Sequence, residues 1–373
     1  MLVSTNLGDK MNSFRIGNFT IQVPIIQGGM GVGVSLHGLA IAVANQGGVG
    51  VISSAGLGLL YRGFSTDYEF ACIHGLKEEI AKARAKTKGI LGVNIMCAMT
   101  NFADTVKTAI QEKIDIIFSG AGLPMDLPSF VDEDNHTRLV PIVSSGRAAK
   151  IICEKWTSHY DYLPDAIVVE GPKAGGHLGF KPNQIFDENF KLETLVEDVC
   201  KAIEPYEKKY DRKIPVIAGG GIYTGEDAFN IMQHGASAVQ MGTRFVTTEE
   251  CDAAQEFKET YINATQENIE IIISPVGMPG RAIKNSFIEK VREGKKQPLN
   301  CPFHCIKTCE IETSPYCIFM ALYNAYNGKM EGGFAFAGSN AYRAEKIETV
   351  GSVFADLQAG YETAEERAKS VSK

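Results

Sequence analysis

The sequence predicts an α/β chain folded as a (β/α)8 TIM barrel with a small, mainly helical C-terminal cap. Three observations carry this. Eight short apolar runs recur between residues 23 and 241. Segments of helical character alternate with them. The last two runs end in glycine-rich turns, and late strand ends are where barrels of this architecture build phosphate sites.

The runs cover 23–27, 48–53, 90–96, 114–119, 139–144, 166–170, 214–218 and 238–241. Most are continuously apolar rather than alternating, which suits strands buried on both faces of a parallel sheet. Helices are expected over 36–45, 77–86 and 102–113. Another is expected over 192–204, where Leu192, Leu195, Val196, Val199 and Ile203 share one face and Pro205 is expected to end it. The helix over 227–233 is opened by Thr224, with Asp227 three residues on as a capping box. A doubly wound open sheet is the alternative, but the glycines at 28, 29, 31 and 33 do not reproduce the G-x-G-x-x-G spacing of that class.

Beyond residue 246 the repeat stops. Helical character is expected over 249–268, 287–291 and 315–328, a loop over 275–280, and a charged, frayed tail from Glu362. The expected division is a barrel at 14–245, a helical substrate-side cap at 246–340, and a C-terminal helix and tail at 341–373.

Composition excludes several classes. Of 373 residues, 45% are hydrophobic and 22% charged, an ordinary globular balance. A net charge of -7 argues against nucleic acid or acidic membrane as a partner. The basic patch at 290–296 reads as a solvated helix end. No apolar run approaches the roughly 20 residues of a membrane span, and residues 1–17 lack the apolar core of a signal peptide. A cytoplasmic location is therefore expected. Of nine cysteines, Cys72, Cys97, Cys153, Cys200 and Cys251 are scattered and read as reduced, buried thiols.

The most informative stretch is 170–179, Glu-Gly-Pro-Lys-Ala-Gly-Gly-His-Leu-Gly, directly after the apolar run 165–169. It puts His177 in a glycine-rich loop at the carboxyl end of a strand, where such barrels place their chemistry. An imidazole moves protons near neutral pH, and the glycines let a flat ligand approach the backbone. Glu170 is placed to orient His177 or a sugar-like chain, and Lys173 to attract an anion. The late turns are Ala218-Gly219-Gly220-Gly221-Ile222 and Gln240-Met241-Gly242-Thr243-Arg244-Phe245. Exposed backbone amides and the Thr243 hydroxyl make a phosphate cradle. The first strand ends in Gln27-Gly28-Gly29-Met30 and the third contains Gly92-Val93-Asn94, so Gln27 and Asn94 are candidates for the edge of a heterocycle.

Together with Ala174-Gly175-Gly176-His177, these motifs, in this order over residues 14–290, resemble the nitronate monooxygenase family, also called 2-nitropropane dioxygenases. FabK-type enoyl-acyl-carrier-protein reductases share the same motifs. The resemblance implies a barrel holding FMN without a covalent link. It puts the phosphate on Gly220, Gly242 and Thr243, and the ring near Gln27, Gly28, Met30, Asn94 and Gly176. Gly29, Glu170, Gly175, Gly219, Gly221, Gln240 and Met241 complete the expected cofactor site, and His177 matches the family's catalytic histidine.

The activity implied is oxidation of alkyl nitronates with oxygen, His177 acting as base. The alternatives are NAD(P)H-dependent reduction of an enoyl thioester or of a quinone, with NAD(P)H then the reductant. A flavin- or metal-binding sensor is the non-enzyme alternative. A purine-nucleotide barrel of the IMP dehydrogenase kind is set aside, because Ser144-Ser145-Gly146-Arg147 has no nucleophilic cysteine. The expected partner is a small-molecule substrate, with no nucleic acid and no membrane; a homodimer is left open.

Cys301, Cys305, Cys309 and Cys317 form a C-x3-C-x3-C-x7-C run. Such soft ligands suit zinc or an iron–sulfur cluster, but the spacing matches neither the common zinc patterns nor the ferredoxin runs. The alternative is reduced thiols on one helical face, positions 301, 305 and 309 being four apart. The expectation adopted is no metal.

Overall fold

Short β-branched runs leave each strand no polar face, so the sheet has to bury both sides, and it does so by closing on itself. In the computed structural model, which describes residues 11–132, 135–295, 301 and 303–371, eight parallel strands form a closed barrel. They are β1 Ile25–Gln27, β2 Val49–Ser53, β3 Ile90–Met96, β4 Ile116–Gly120, β5 Arg138–Val143, β6 Ile167–Glu170, β7 Val216–Gly219 and β8 Ala238–Met241. Each pairs with its sequence neighbour, and β8 returns to β1 through Val239 opposite Ile25. Ile26, Val51, Ile116, Phe118, Val140, Val168 and Ile217 pack into one cluster inside.

The barrel opens at one end. An antiparallel hairpin, Phe14–Ile16 with Phe19–Ile21, places Ile16 and Ile21 in that inner cluster, and both are fully buried. The site therefore has to lie at the carboxyl ends of the strands.

Helices α1 His37–Asn45, α2 Tyr68–Arg84, α3 Phe102–Gln111, α4 Gly146–Tyr160, α5 Leu192–Tyr210 and α6 Gly225–Gln233 form the outer ring. Between β4 and β5 the described residues include a 3-10 turn, Leu127–Phe130. Several boundaries differ from the sequence reading. Helix α2 begins at Tyr68 rather than 77, because the Asp67 carboxylate accepts from the Phe70 amide and caps an earlier turn. Helix α4 was not expected; its signal is Ser145, whose hydroxyl accepts from the Ala148 amide. Pro205 does not end α5. The chain continues to Tyr210, with Tyr206 and Tyr210 packed on the main core and Asp211 in the left-handed conformation as the stop. The Thr224–Asp227 capping box is present.

After β8 come α7 Gln255–Ile262, strands β9 Ile269–Ile273 and β10 Pro279–Ile283, then α8 Ser286–Arg292, α9 Ile318–Tyr326 and α10 Val350–Val371. The cap thus contains a hairpin where 249–268 was expected to run as one helix and 275–280 as a plain loop. Residues 266–268 make a 3-10 turn, and 274–278 is the hairpin's tight end. The tail does not fray at Glu362: α10 runs to Val371, its Tyr361 ring edge-on to Phe229 of α6 with centroids 5.3 Å apart. It packs against α1 and α6, in the place of the missing eighth helix of the ring. Residues 1–10 of the signal-peptide reading and Lys296 of the basic patch lie outside the described residues. Among the described residues no helix is long and apolar enough to cross a membrane.

Helices α6 and α10 cross so closely that a Cβ on Gly225 would stand 1.9 Å from the Leu357 carbonyl oxygen and 2.3 Å from the Tyr361 amide. Both atoms are backbone and cannot swing aside. Gly225→Ala is expected to lower stability by about 1–3 kcal/mol, the usual range for overpacking, read as a lower urea midpoint at unchanged slope. An unchanged midpoint would mean that α10 is not docked here.

Candidate active site

At the open end lies a cavity of about 480 Å³. Its floor is built from strand ends: Gly28, Gly29 and Met30 after β1, Asn94 in β3, Glu170 at the end of β6, Gly219, Gly220 and Gly221 after β7, and Gln240, Met241, Gly242 and Thr243 at β8. Gly175, Gly176 and His177 form one wall. Fifteen of the sixteen residues picked out by sequence motif thus meet in one cavity. The exception is Gln27. Its side chain is fully buried inside the barrel, where Nε2 donates to the Gly28 carbonyl and Oε1 accepts from the Val51 amide, 3.0 Å away. Because β1 turns that side chain inward, it braces the first strand and does not face the cavity.

The floor fits a flat ligand with a phosphate end. Gly220 has φ +102°, and a Cβ there would meet the Gly171 carbonyl at 2.9 Å and the Ala174 amide at 3.1 Å. Only glycine lets the β7 loop nest against the β6 loop this closely while baring its amides. At the neighbouring turn Thr243 Oγ1 accepts from the Gly338 amide at 3.0 Å, leaving its proton free to donate. At the far side, Ser53 lines the cavity with a buried hydroxyl that has no hydrogen-bond partner. A polar atom orphaned in this way awaits a ligand.

His177 is held from the cap. Residues Gly176 and His177 form a two-residue strand opposite Arg281 and Gly280 of β10, extended by the Leu178 amide donating to the Pro279 carbonyl at 2.8 Å. From the hairpin's tight end, Ser274 Oγ stands 2.7 Å from His177 Nε2. The Val276 amide donates to the same oxygen. The direction of the Ser274–His177 bond is set by which ring nitrogen carries the proton. The Phe336 ring meets the imidazole edge-on with centroids 5.0 Å apart. Glu170 faces the cavity but is not the partner of His177.

Burial sets the charge state of both groups. It pushes His177 from its usual 6.5 down to about 4, so the ring is neutral at pH 7. It pushes Glu170 from 4.5 up to about 7.

Arg281 is on β10 and only 5% exposed, and its guanidinium donates to the carbonyls of Pro172 and Ala174, at 2.6 and 2.7 Å. It ties the histidine loop to the cap. Ser53, at the end of β2, and Ser274 escaped the sequence reading because neither belongs to a glycine-rich strand end. Ser274 and Arg281 take their roles from a hairpin that the sequence did not predict. Lys173 lines the cavity beside Gly221. His37, His136 and His234 pair with Glu79, Asp115 and Glu197 away from the cavity.

Beyond His177 the upper wall is apolar: Met96, Leu123, Met278, Ile306, Phe319 and Leu322. Among the described residues, no three His, Cys, Asp or Glu side chains converge as ligands of a single metal ion.

A glycine-floored cavity at the carboxyl end of a closed (β/α)8 barrel, with a buried histidine over it, defines an α/β-barrel enzyme with a nucleotide-type ligand site. The family profile described as nitronate monooxygenase matches residues 12–360, so the chain belongs to the nitronate monooxygenase family. A probable nitronate monooxygenase of Staphylococcus saprophyticus is 26% identical over 76% of this chain and 82% of its own length. The (3aS,4S,5R,7aS)-5-hydroxy-7a-methyl-1-oxo-octahydro-1H-indene-4-carboxyl-CoA dehydrogenase of Mycobacterium tuberculosis is 26% identical over 74% of this chain. The chain spans 67% of that relative's length and 65% of its Rhodococcus jostii counterpart. Among solved structures, FabK from Thermotoga maritima superposes with a TM-score of 0.71 at 27% identity, covering 93% of this chain and 95% of its own. A nitroalkane oxidase from Streptomyces ansochromogenes shares the fold, with a TM-score of 0.70 at 19% identity over 92% of this chain and 97% of its own.

Two expectations follow. Arg281→Met keeps the stem but loses both carbonyl bonds. It is expected to cost about 2–3 kcal/mol, the scale of charge-assisted bonds to buried groups, and to speed amide exchange over 171–177 selectively. Uniform exchange changes would refute the tie. The second concerns pH. With its folded pKa near 4 and its unfolded value near 6.5, His177 binds a proton in the unfolded chain first as pH falls. Its contribution to stability is thus present above pH 6.5 and is lost as pH drops toward 4. In the His177→Asn variant, the stability curve should be flatter across that window by comparison. Identical slopes would show that the ring titrates normally.

Proposed function

We propose that this protein is an FMN-dependent oxidoreductase that oxidises alkyl nitronates with oxygen, with His177 as the group that moves a proton. The observation that carries this reading is the size and chemistry of the cavity. About 480 Å³ has to take a flavin nucleotide and a substrate together, which leaves room for a small substrate under a dry, apolar wall. Family membership supports the oxidoreductase class, and the Staphylococcus relative carries the same activity in its name.

In this reading the Gly219–Gly221 and Gly242–Thr243 turns hold the FMN phosphate. Gly28, Met30, Asn94 and Gly176 flank the ring, and Ser53 gives its polar edge a hydroxyl. FMN, when bound, supplies the redox centre that withdraws electrons from the substrate and returns them to oxygen. The protein's part is positional. His177, neutral at pH 7, accepts the α-proton of a neutral nitroalkane, and the Ser274 contact at Nε2 fixes the orientation of the ring. The apolar wall excludes water from the carbanion.

A second reading is NAD(P)H-dependent reduction of an enoyl thioester. It is favoured by the apolar character of the wall, which suits an acyl chain, and by the 27% identity to FabK across 93% of the chain. There His177 supplies the proton rather than taking it.

Anaerobic spectra separate the two. Flavin bleached by propionate nitronate and not by NADH or NADPH supports the first reading; the reverse result replaces it with the second. The absence of a flavin band, even after FMN is added back, overturns both. In His177→Asn, turnover of a neutral nitroalkane is expected to fall by about 10²–10⁴-fold, the usual contribution of a general base, while the preformed nitronate, with no proton to give, keeps its rate. Equal losses on both substrates would remove the base role.

A further inference from the structure

Residues 337–340 of the cap cross the loops that follow β6, β7 and β8, and Ala337 and Gly338 line the cavity. Three hydrogen bonds join this strap to those loops. The Gly338 amide donates to Thr243 Oγ1 at 3.0 Å. The Ser339 amide donates to the Lys173 carbonyl at 3.1 Å. Asn340 Nδ2 donates to the Gly221 carbonyl at 2.6 Å. All three run the same way: the strap gives the hydrogen and a barrel loop supplies the oxygen.

The loop amides are left over. Among the described residues, the amides of Gly220, Gly221, Ile222 and Gly242 meet no acceptor, and all four residues line the cavity. Backbone donors in a folded protein are almost always paired, so unpaired ones around one end of a cavity are placed for an acceptor on a ligand. The strap thus occupies the oxygens of the cradle and spares its donors.

We propose that Asn340 is a positioning residue for the ligand's phosphate: at the centre of this strap it holds the β7 turn with its carbonyl turned away from the anion, and so gives the cavity a preference for a phosphorylated ligand over the same ligand without phosphate. The proposal rests on the reading of the cavity floor as an FMN site.

The turn needs such a hold. Gly221 has φ +90° and no Cβ to restrain the peptide planes beside it. A plane that rotates exchanges an N–H for a C=O, and a bare carbonyl oxygen repels phosphate. In a trans peptide the two groups point in opposite directions. Fixing the Gly221 carbonyl toward Asn340 therefore turns the Ile222 amide away from the strap.

The strap itself has little play. Upstream, the Ala337 amide donates to the Arg281 carbonyl at 3.0 Å. Downstream, Arg343 pairs with Asp227 at 3.5 Å and lies over the Tyr223 ring, 4.9 Å from its centroid. A Cβ on Gly175 would stand 2.7 Å from both the Ala337 carbonyl carbon and the Gly338 amide nitrogen, so strap and histidine loop are in close backbone contact.

The test uses the full chain, dialysed free of bound flavin and titrated separately with FMN and with riboflavin, each read by quenching of flavin fluorescence. Riboflavin has the same ring and sugar-like chain and no phosphate. The wild type is expected to bind FMN more tightly than riboflavin. Asn340→Ala is expected to weaken FMN about tenfold, the scale of one hydrogen bond, and to leave riboflavin unchanged; retained riboflavin binding also shows that the variant is folded. Asn340→Asp keeps the shape but replaces the donor with a carboxylate, and is expected to weaken FMN further, with riboflavin again unchanged. Equal weakening of both flavins by Asn340→Ala overturns the proposal, because it marks a general loosening of the cap. So does an unchanged FMN affinity in that variant, or a wild type that binds riboflavin as tightly as FMN. A wild type that binds neither flavin overturns the FMN reading as well, whereas a wild type and an Asn340→Ala variant that hold FMN equally well overturn this proposal alone.

Discussion

The antiparallel pairing between β10 and the two-residue strand Gly176–His177 is the constraint on which the site depends. A glycine-rich loop after a barrel strand has no reason to hold one conformation, because its glycines lose the most entropy on ordering. Here the cap supplies what the loop lacks. Two ladder positions, the Ser274 contact and the buried Arg281 guanidinium all reach the loop from one hairpin. Arg281 has carbonyls for partners rather than a carboxylate, and burial lowers it to about 10. Such a cation persists only where its hydrogen bonds offset the desolvation. The loop and the hairpin therefore fold as one unit or not at all.

The same unit divides the cavity into two chemistries. Below it, strand ends present bare amides and small polar groups that suit a nucleotide. Above it, cap side chains present an apolar wall. His177 stands at the join, and its neutrality follows from that position: the apolar wall removes water, and among the described residues no carboxylate pairs with the ring to restore the charge. Barrel and cap each contribute half of a site that neither contains alone.

The loop carrying the clustered cysteines extends this dependence. It leans on the barrel at Met99 and Thr100 and hands its last cysteine to the start of α9, whose Leu322 and Phe319 complete the wall. Whatever fixes that loop also fixes the shape of the space above His177.

The sequence by itself determined the barrel, because continuous β-branched runs separated by amphipathic segments have few other ways to bury both faces of a sheet. It also located the cavity floor, since glycines at strand ends, with Thr243 and Asn94 beside them, mark close backbone approach in any order of folding. Local signals misled where tertiary packing outweighed them. Pro205 did not stop α5 because Tyr206 and Tyr210 had a core to join, and charge did not fray α10 because Tyr361 met Phe229. Gln27 looked like a ligand group, and strand register alone turned it inward. What only the tertiary structure decided is long-range: Ser274 lies 97 residues from His177, and Arg281 lies 107 residues from Ala174. No periodicity records such a pairing, because a buried arginine and a turn serine acquire their roles from the surface they are folded against.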